Sequence, residues 1–181
     1  MKSHSIEYFL TNNINFSKSK REIAINRIEK EKYSVKNLVC LLKNTEAKKT
    51  SYLICLCDTL SRIHTSYLLI EKEYFIEIAS KETNESNKRC LTNIFITMLT
   101  FHYNTFSSKQ KEKIMEVCFN WLIDDSLVAT QCNCLTCLDI LSKDIEWIKE
   151  ELLLIIDKTF TQKPVSYQSR AKKILKKYRS I

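Results

Sequence analysis

The sequence contains no glycine and only one proline, Pro164. Glycine reaches positive φ at no steric cost, so its absence makes primed β-hairpin turns and tight strand connections difficult. The same absence removes the glycine-rich loops that hold phosphates in P-loop and Rossmann enzymes, and the glycine-flanked turn that carries a nucleophilic serine. The sequence therefore disfavours an all-β fold and most classes of nucleotide-binding enzyme.

Long apolar runs are also lacking. The longest uninterrupted aliphatic run is LLLII at 152–156, far short of the ~20 residues that cross a bilayer. The opening residues 2–7 are polar and do not resemble a signal peptide. We therefore expect a cytoplasmic protein with reduced thiols and no contact with a membrane.

The balance of residue types is that of a folded domain. Apolar residues make up 44% of the 181 positions and charged residues 28%, which is a globular rather than a disordered composition. A chain of this length can bury a core without disulfides or metals. We expect a single domain that spans 1–181.

Apolar residues recur at helical spacing in successive segments, so the sequence predicts an all-α fold. Polar breaks with Asn, Asp, Ser, Thr and Lys separate the segments, and they provide the capping residues that the absent glycines cannot. The predicted helices cover 6–10, 17–32, 35–43, 46–63, 65–81, a segment that ends near 101, 109–122, 126–141, 145–160 and 164–178.

The second helix of each predicted pair can be aligned with the next. Leu56, Phe95, Leu135 and Leu175 fall at matching places in successive units. The unit has two helices and about 40 residues, which is typical of HEAT or armadillo repeats. The sequence thus predicts an α-solenoid of antiparallel helix pairs, in which 1–33 forms N-terminal helices, 34–178 forms about four pairs, and 164–181 is a basic C-terminal capping helix.

Eight cysteines are the first candidate chemistry. Cys132, Cys134 and Cys137 form a C-x-C-x-x-C pattern, which in a loop would suit zinc or an iron–sulfur cluster. On a helix Cys134 stands roughly 200° from Cys132, and Cys137 roughly 60° from Cys134 in the other direction, so the thiols would not converge. We interpret them as small core residues and expect no metal and no cofactor; a metal site and a reactive thiol are the alternatives.

Two histidines and three glutamates are further candidates for chemistry. His64 and His102 lie about one repeat apart, near the ends of equivalent predicted helices, where an imidazole suits the last carbonyls and the helix dipole. A catalytic or ligand pair is the alternative. Glu146, Glu150 and Glu151 lie near a predicted helix start, and we interpret them as dipole-complementing charges rather than as a carboxylate pair.

Trp121 and Trp147 are candidate interaction anchors. Both lie in predicted helices of the repeat region, where a tryptophan is either a core residue or part of a groove. A tryptophan exposed on a concave face would anchor a binding partner.

The net charge of +8 is concentrated at the end of the chain. From Lys163 onward there are seven basic residues and no acidic one, which leaves 8 − 7 = +1 for the rest. Arg170, Lys172, Lys173, Lys176 and Lys177 lie opposite the apolar stripe of the last helix and are the candidate polyanion-binding residues. A solvated end cap and a surface for an acidic protein are the alternatives.

The stretches 125–133, 144–148 and 167–175, which read DSLVATQCN, DIEWI and YQSRAKKIL, resemble short HEAT-like proteins of Bacteroidetes-type bacteria. The resemblance implies a right-handed, HEAT-like stack of helix pairs and no established activity. Some members of that group carry an automatic label of adenylosuccinate lyase. True lyases of that superfamily are far longer and use a signature loop with glycine, serine and proline, so the sequence does not support that label.

Two functions of different classes follow from these expectations. The first is a non-enzymatic protein-interaction scaffold, in which the second helices present a curved surface to another protein. The alternative is nucleic-acid binding through the basic final helix, with base-excision chemistry as an extension, because HEAT-like folds also grip damaged DNA in the alkylpurine glycosylase family.

Overall fold

The computed structural model describes residues 5–124 and 126–179. Residues 2–4 of the polar start at 2–7, Asp125 in the predicted break before 126, and the last two residues of the predicted capping helix lie outside the described residues. Within the described ranges the chain is all helical and has no strand, so the predicted all-α class is confirmed.

The described chain contains ten α-helices. We number them in chain order: α1 is Ile6–Asn12, α2 is Lys18–Lys30, α3 is Val35–Lys43, α4 is Ala47–Ile63, α5 is Lys72–Ala79, α6 is Glu85–His102, α7 is Ser108–Ile123, α8 is Val128–Leu141, α9 is Glu146–Thr159, and α10 is Val165–Arg179. Short 3₁₀ turns lie at Leu69–Glu71, Tyr103–Thr105 and Phe160–Gln162.

Polar caps define several helix starts, as a chain without glycine requires. Ser34 Oγ accepts from the Asn37 N–H at 3.2 Å at the start of α3. Ser107 and Gln110 form a reciprocal capping box at the start of α7, which satisfies two backbone donors at once. Between α2 and α3, Lys32 adopts a φ of 50°, a left-handed position that glycine usually takes.

One predicted helix is much shorter than expected. The sequence predicts a helix over 65–81, but the chain turns at 65–68 and α5 begins only at Lys72. The Tyr67 hydroxyl donates to the Tyr33 carbonyl at 2.5 Å, and Leu68 is completely buried. These contacts with distant parts of the chain hold the segment in a turn, against its local helical pattern.

The second helices of the predicted pairs lie side by side in chain order, with α4 against α6, α6 against α8, and α8 against α10. The residues that align from one repeat to the next lie in these contacts: Leu56, Phe95 and Leu135 are fully buried. Leu175, on the last described helix of the row, is half-buried. The repeat pattern therefore marks the contacts between successive second helices.

The first helices pack against this row. The contacts join α3 to α4, α5 to α6, α7 to α8, and α9 to α8, while α5 also packs on α7. At the N-terminal end, α2 packs on α4 and α1 packs on α2. Buried apolar residues form one continuous cluster from Ile6 to Ile174. In the described part of the chain, no helix is both long enough and apolar enough to cross a bilayer.

Candidate functional site

A groove of about 390 Å³ crosses α6, α8 and α10. We call it the second-helix groove; its lining residues are Arg89, Asn93, Val128, Ala129, Cys132, Asn133, Ser166, Ser169, Arg170 and Lys173. The lining contains three cations, several amides and hydroxyls, and no carboxylate. This composition suits a ligand with several negatively charged oxygens.

The repeat spacing explains why these residues meet. Ala129 and Ser169 occupy the position of Arg89 in the next two repeats, and Asn133 and Lys173 occupy the position of Asn93 in the same way. Because successive second helices lie side by side, residues one repeat apart become neighbours. The groove is therefore a line of equivalent positions on three helices.

The floor of the groove is a chain of hydrogen bonds between the helices. Asn133 Nδ2 donates to Asn93 Oδ1 at 2.8 Å and to Thr92 Oγ1 at 3.0 Å. Asn93 Nδ2 in turn donates to Asp58 Oδ2 at 3.3 Å, and Arg62 Nη2 donates to the same oxygen at 2.9 Å. We call the series Arg62–Asp58–Asn93–Asn133 the polar ladder. It ties α4, α6 and α8 together and holds the two amides in place.

Asp58 is the buried anion of this ladder, with 2% of its surface exposed. Burial raises the pKa of its carboxyl, and the opposing influence of Arg62 and the Asn93 amide only partly offsets that rise. A buried carboxylate beside cations reduces the positive field around it. Asp58 is bound directly by Arg62, whereas Arg89 acts on it only through its charge, without a hydrogen bond.

The three cations of the second-helix groove are all exposed. Across residues 5–124 and 126–179, no ion-pair partner is found for Arg89, Arg170 or Lys173. Arg89 comes from α6, and the other two come from α10, one turn apart. Positive charges without carboxylate partners are available to bind an external anion.

The structure separates the five basic residues that the sequence grouped on the last helix. Arg170 and Lys173 line the groove. Lys172 lies over the Phe160 ring, with Nζ 5.8 Å from its centroid, and Lys177 Nζ is 2.7 Å from Asp139 Oδ1. Lys176 is exposed. Only part of the predicted set therefore faces the groove.

Arg89 is the groove residue that sequence reasoning missed. It follows Lys88 at the end of the polar segment 80–89, far along the chain from the basic final helix. The available signal was the repeat, because Arg89 lies two repeats before Ser169. The repeat step puts Arg89, Ala129 and Ser169 at equivalent positions of α6, α8 and α10, which lie side by side in that order.

The two tryptophans have different environments. Trp121 is only 6% exposed and lies beneath Lys88, whose Nζ is 5.7 Å from the ring centroid. Trp147 is 51% exposed, and its ring stacks on Phe119 at 5.9 Å with an interplanar angle of 16°. Trp147 lies on α9, away from the second-helix groove, and lines a separate groove between α7 and α9.

The cysteines of the C-x-C-x-x-C pattern divide into two groups: Cys134 and Cys137 both lie beside the Cys118 thiol, and Cys132 lies apart from it. Cys134 and Cys137 are fully buried, and the Cys137 thiol donates to the Thr92 carbonyl at 3.7 Å. Cys132 is half-buried and lines the second-helix groove. The described residues contain no cluster of three histidine, cysteine or acidic side chains that could hold a metal ion.

One thiol outside that pattern has an unusual environment. Arg21 Nη1 donates to Cys55 Sγ at 2.9 Å. The hydrogen bond from the Cys90 thiol, together with the Arg21 charge, lowers the pKa of Cys55 to about 6, while the pKa of Cys90 is raised. The lowered pKa favours the thiolate form of Cys55 beside the positive charge of Arg21.

The two histidines lie at helix ends, as expected from their positions, and each has its own partner. His64 follows α4, and its Nε2 is 2.5 Å from Glu29 Oε1. His102 ends α6, and its Nε2 is 3.0 Å from Thr65 Oγ1. Both rings therefore link a second helix to a neighbouring segment.

Comparison of this chain with protein-family models, with curated proteins and with solved structures gives no match.

Proposed function

We propose that this protein is a non-enzymatic, HEAT-like binding protein that holds the sugar–phosphate backbone of a nucleic acid in its second-helix groove. One observation carries the proposal: Arg89, Arg170 and Lys173 surround a groove of about 390 Å³ whose lining has no carboxylate. Arginine and lysine neutralise phosphates and release counterions, which is the main source of affinity in sequence-independent binding.

The remaining lining residues fit the same ligand. The side chains of Asn93, Asn133, Ser166 and Ser169 can donate hydrogen bonds to phosphate and sugar oxygens. Contacts of that kind position a backbone without reading the bases. The proposal is therefore for binding with little sequence preference.

Base-excision chemistry is not part of the proposal. Asp58 is the carboxylate of the polar ladder, and it is 2% exposed. Its Oδ2 is engaged by both Arg62 and Asn93. A carboxylate in that position stabilises the ladder and does not reach an extruded base.

The proposal includes a right-handed stack of HEAT-like pairs, supported by the repeat spacing and by the chain-order packing of α4, α6, α8 and α10. It also includes a cytoplasmic location, which is supported by eight free cysteines, since thiols persist in reducing compartments.

The test is the binding of fluorescein-labelled oligonucleotides, single-stranded and duplex, measured by fluorescence anisotropy. We expect the affinity for duplex to fall roughly 40-fold between about 50 and about 200 mM salt if three phosphates are neutralised. The triple variant Arg89→Gln, Arg170→Gln, Lys173→Gln should lose more than about 100-fold in affinity at the lower salt concentration.

The matched control removes the same charge elsewhere. Lys36, Lys48 and Lys158 are exposed and lie outside the groove. Their triple substitution by glutamine should change the affinity less than about threefold, by the loss of net charge alone. Equal losses in the two triple variants would show that binding follows net charge, and they would refute the groove as the binding site.

A protein-interaction scaffold is the second candidate function. It is favoured by Trp147, a large ring that is 51% exposed beside a groove of about 600 Å³. Half-exposed aromatic side chains in grooves are frequent anchors of protein partners.

A further inference from the structure

The groove between α7 and α9 has an apolar floor. Met115 and Ile145 are half-buried there, and Trp147 forms one wall, with its ring stacked on Phe119. The stack holds the indole in one orientation while half of its surface stays accessible. We call this the α7–α9 groove; it offers a preformed pocket of about 600 Å³ for one large apolar side chain and its neighbours.

The rim of the α7–α9 groove is acidic. Glu112 and Glu116 line it, one helical turn apart, and both are exposed. Neither has an ion-pair partner among the described residues. The one cation of the lining, Lys111, pairs with Asp144 at 3.2 Å. The rim therefore carries two unneutralised negative charges on a chain whose net charge is +8.

The acidic stripe continues along α9. Glu150, Glu151 and Leu154 follow Trp147 by three, four and seven residues, so all four lie on one face of the helix. All of them are exposed, and Leu154 is 52% exposed. An apolar and acidic surface thus extends from the α7–α9 groove along α9.

The neighbouring groove between α5 and α7 is smaller, and the Glu73 carboxylate beside it has partners within the protein. It measures about 230 Å³, and beside it the Glu73 carboxylate binds Lys113 at 2.8 Å and accepts from Gln110 at 2.8 Å. The Glu73 side chain is thus neutralised within the protein, whereas Glu116, which lines both grooves, has no ion-pair partner among the described residues. In the α7–α9 groove the carboxylates Glu112 and Glu116 remain available to a partner's cations.

We propose that the α7–α9 groove binds a basic amphipathic helix of a partner protein, with an apolar residue of that helix against Trp147 and its lysines or arginines against Glu112 and Glu116. The stripe from Ser108 to Glu116 covers about 12 Å of helix, or roughly two turns, which suits an apolar and basic pattern repeated over two turns. Charge complementarity selects a basic helix over an acidic one.

The basic helix α10 of a second copy does not meet these requirements. Its apolar stripe, Tyr167, Ala171 and Ile174, is buried within its own fold. Such a helix would bring cations to the groove but no apolar anchor. The site is also independent of the proposed nucleic-acid binding, because none of its residues lines the second-helix groove.

The test uses a fluorescein-labelled 14-residue peptide of leucine and lysine with helical amphipathic spacing, and the same peptide with glutamate in place of lysine. The double variant Glu112→Lys, Glu116→Lys should weaken binding of the lysine peptide at least tenfold, and Trp147→Ala should weaken it by a similar factor. Binding should also shift the tryptophan emission of the wild-type protein to shorter wavelength, and this shift should be absent in Trp147→Phe.

The control variant Glu22→Lys, Glu46→Lys makes the same charge change at exposed sites outside the α7–α9 groove. It should retain peptide affinity within about threefold of the wild type. Equal weakening by the two double variants, or equally tight binding of the glutamate peptide, would overturn the proposal. Sedimentation of the free protein as a dimer that the Glu112→Lys, Glu116→Lys variant dissolves would also overturn it, because a second copy would then occupy the groove.

Discussion

The second-helix groove, across α6, α8 and α10, and the α7–α9 groove have opposite charge. In the first, Arg89, Arg170 and Lys173 have no carboxylate partner among the described residues. In the second, the cation Lys111 is paired, while Glu112 and Glu116 are unpaired across the same described ranges. The opposite charge of the two grooves depends on which side chains form ion pairs within the protein. The number of charged residues in each segment does not reveal it.

The pairing of a charge depends on where its side chain lies, as the buried Asp58 and the exposed Glu112 show. Asp58 lies in the row of second helices, where Arg62 and Asn93 bind its Oδ2 and partly offset the effect of its burial. Glu112 lies on the outer side of a first helix, where no cation of the described chain pairs with it. The two grooves therefore present different chemistry to two different ligands, and substitutions should affect them separately.

The largest effect is expected for a core substitution that destabilises the helices of both grooves. Phe95→Ala should lower the free energy of unfolding by about 3–5 kcal/mol, because Phe95 is fully buried in α6 between neighbouring second helices. Urea unfolding followed by circular dichroism measures the change. Leu154→Ala is the control: its side chain is 52% exposed, so stability should change by less than about 0.5 kcal/mol. Similar losses in both variants would contradict the assigned core.

A smaller effect is expected when one side chain of the polar ladder is removed. Asn133→Ala removes the donor to Asn93 and Thr92, so stability should fall by about 1–2 kcal/mol. Oligonucleotide affinity should fall with it, whereas binding of the lysine peptide to the α7–α9 groove should not change. Asn120→Ala, at an exposed position on α7, is the matched control. Loss of peptide binding in Asn133→Ala would show that the two grooves are not separate.

The pH dependence of stability tests whether the Cys55 thiolate neutralises Arg21. The pKa of Cys55 is lowered from 9.0 to about 6 in the folded protein, so its stabilising contribution is complete above pH 9 and is lost as the pH falls through 6. The stability difference between wild type and Cys55→Ser should therefore grow by about 1 kcal/mol or more from pH 6 to pH 8. Urea unfolding at the two pH values measures it; a constant difference would mean that Cys55 stays protonated.

The smallest effect is expected when a paired lysine and an unpaired lysine on the same helix are each replaced by glutamine. Lys177 is bound to Asp139, so Lys177→Gln should change oligonucleotide affinity less than about twofold and stability by less than about 1 kcal/mol. Lys173→Gln, which removes a groove cation, should weaken oligonucleotide binding roughly fivefold to tenfold at low salt. If the two substitutions have equal effects, pairing does not decide which cations bind the ligand.

Sequence reasoning succeeded where the signal was local. The helical spacing of apolar residues predicted helices over 46–63 and 109–122, and the structure has α4 at Ala47–Ile63 and α7 at Ser108–Ile123. It failed at 65–68, where the hydroxyl of Tyr67 binds the Tyr33 carbonyl. That contact joins residues 34 positions apart, and no local pattern contains it.

The candidate sites were only partly predictable for the same reason. Arg170, Lys173 and Trp147 were named from the sequence, but Arg89, Glu112 and Glu116 were not. Lys172 and Lys177 belong to the same basic run as Lys173; their distant partners, Phe160 and Asp139, set them apart.

The amino-acid sequence by itself determined the helices, their polar caps and the repeat step that aligns the second helices, because these depend on local neighbours and on a regular recurrence along the chain. Only the tertiary structure decided which charges are neutralised, that Trp121 is buried while Trp147 is half exposed, and that Arg89 and Arg170 line one groove. Ion pairing and burial depend on side chains that packing brings together from distant positions, so they arise only once the helices have assembled.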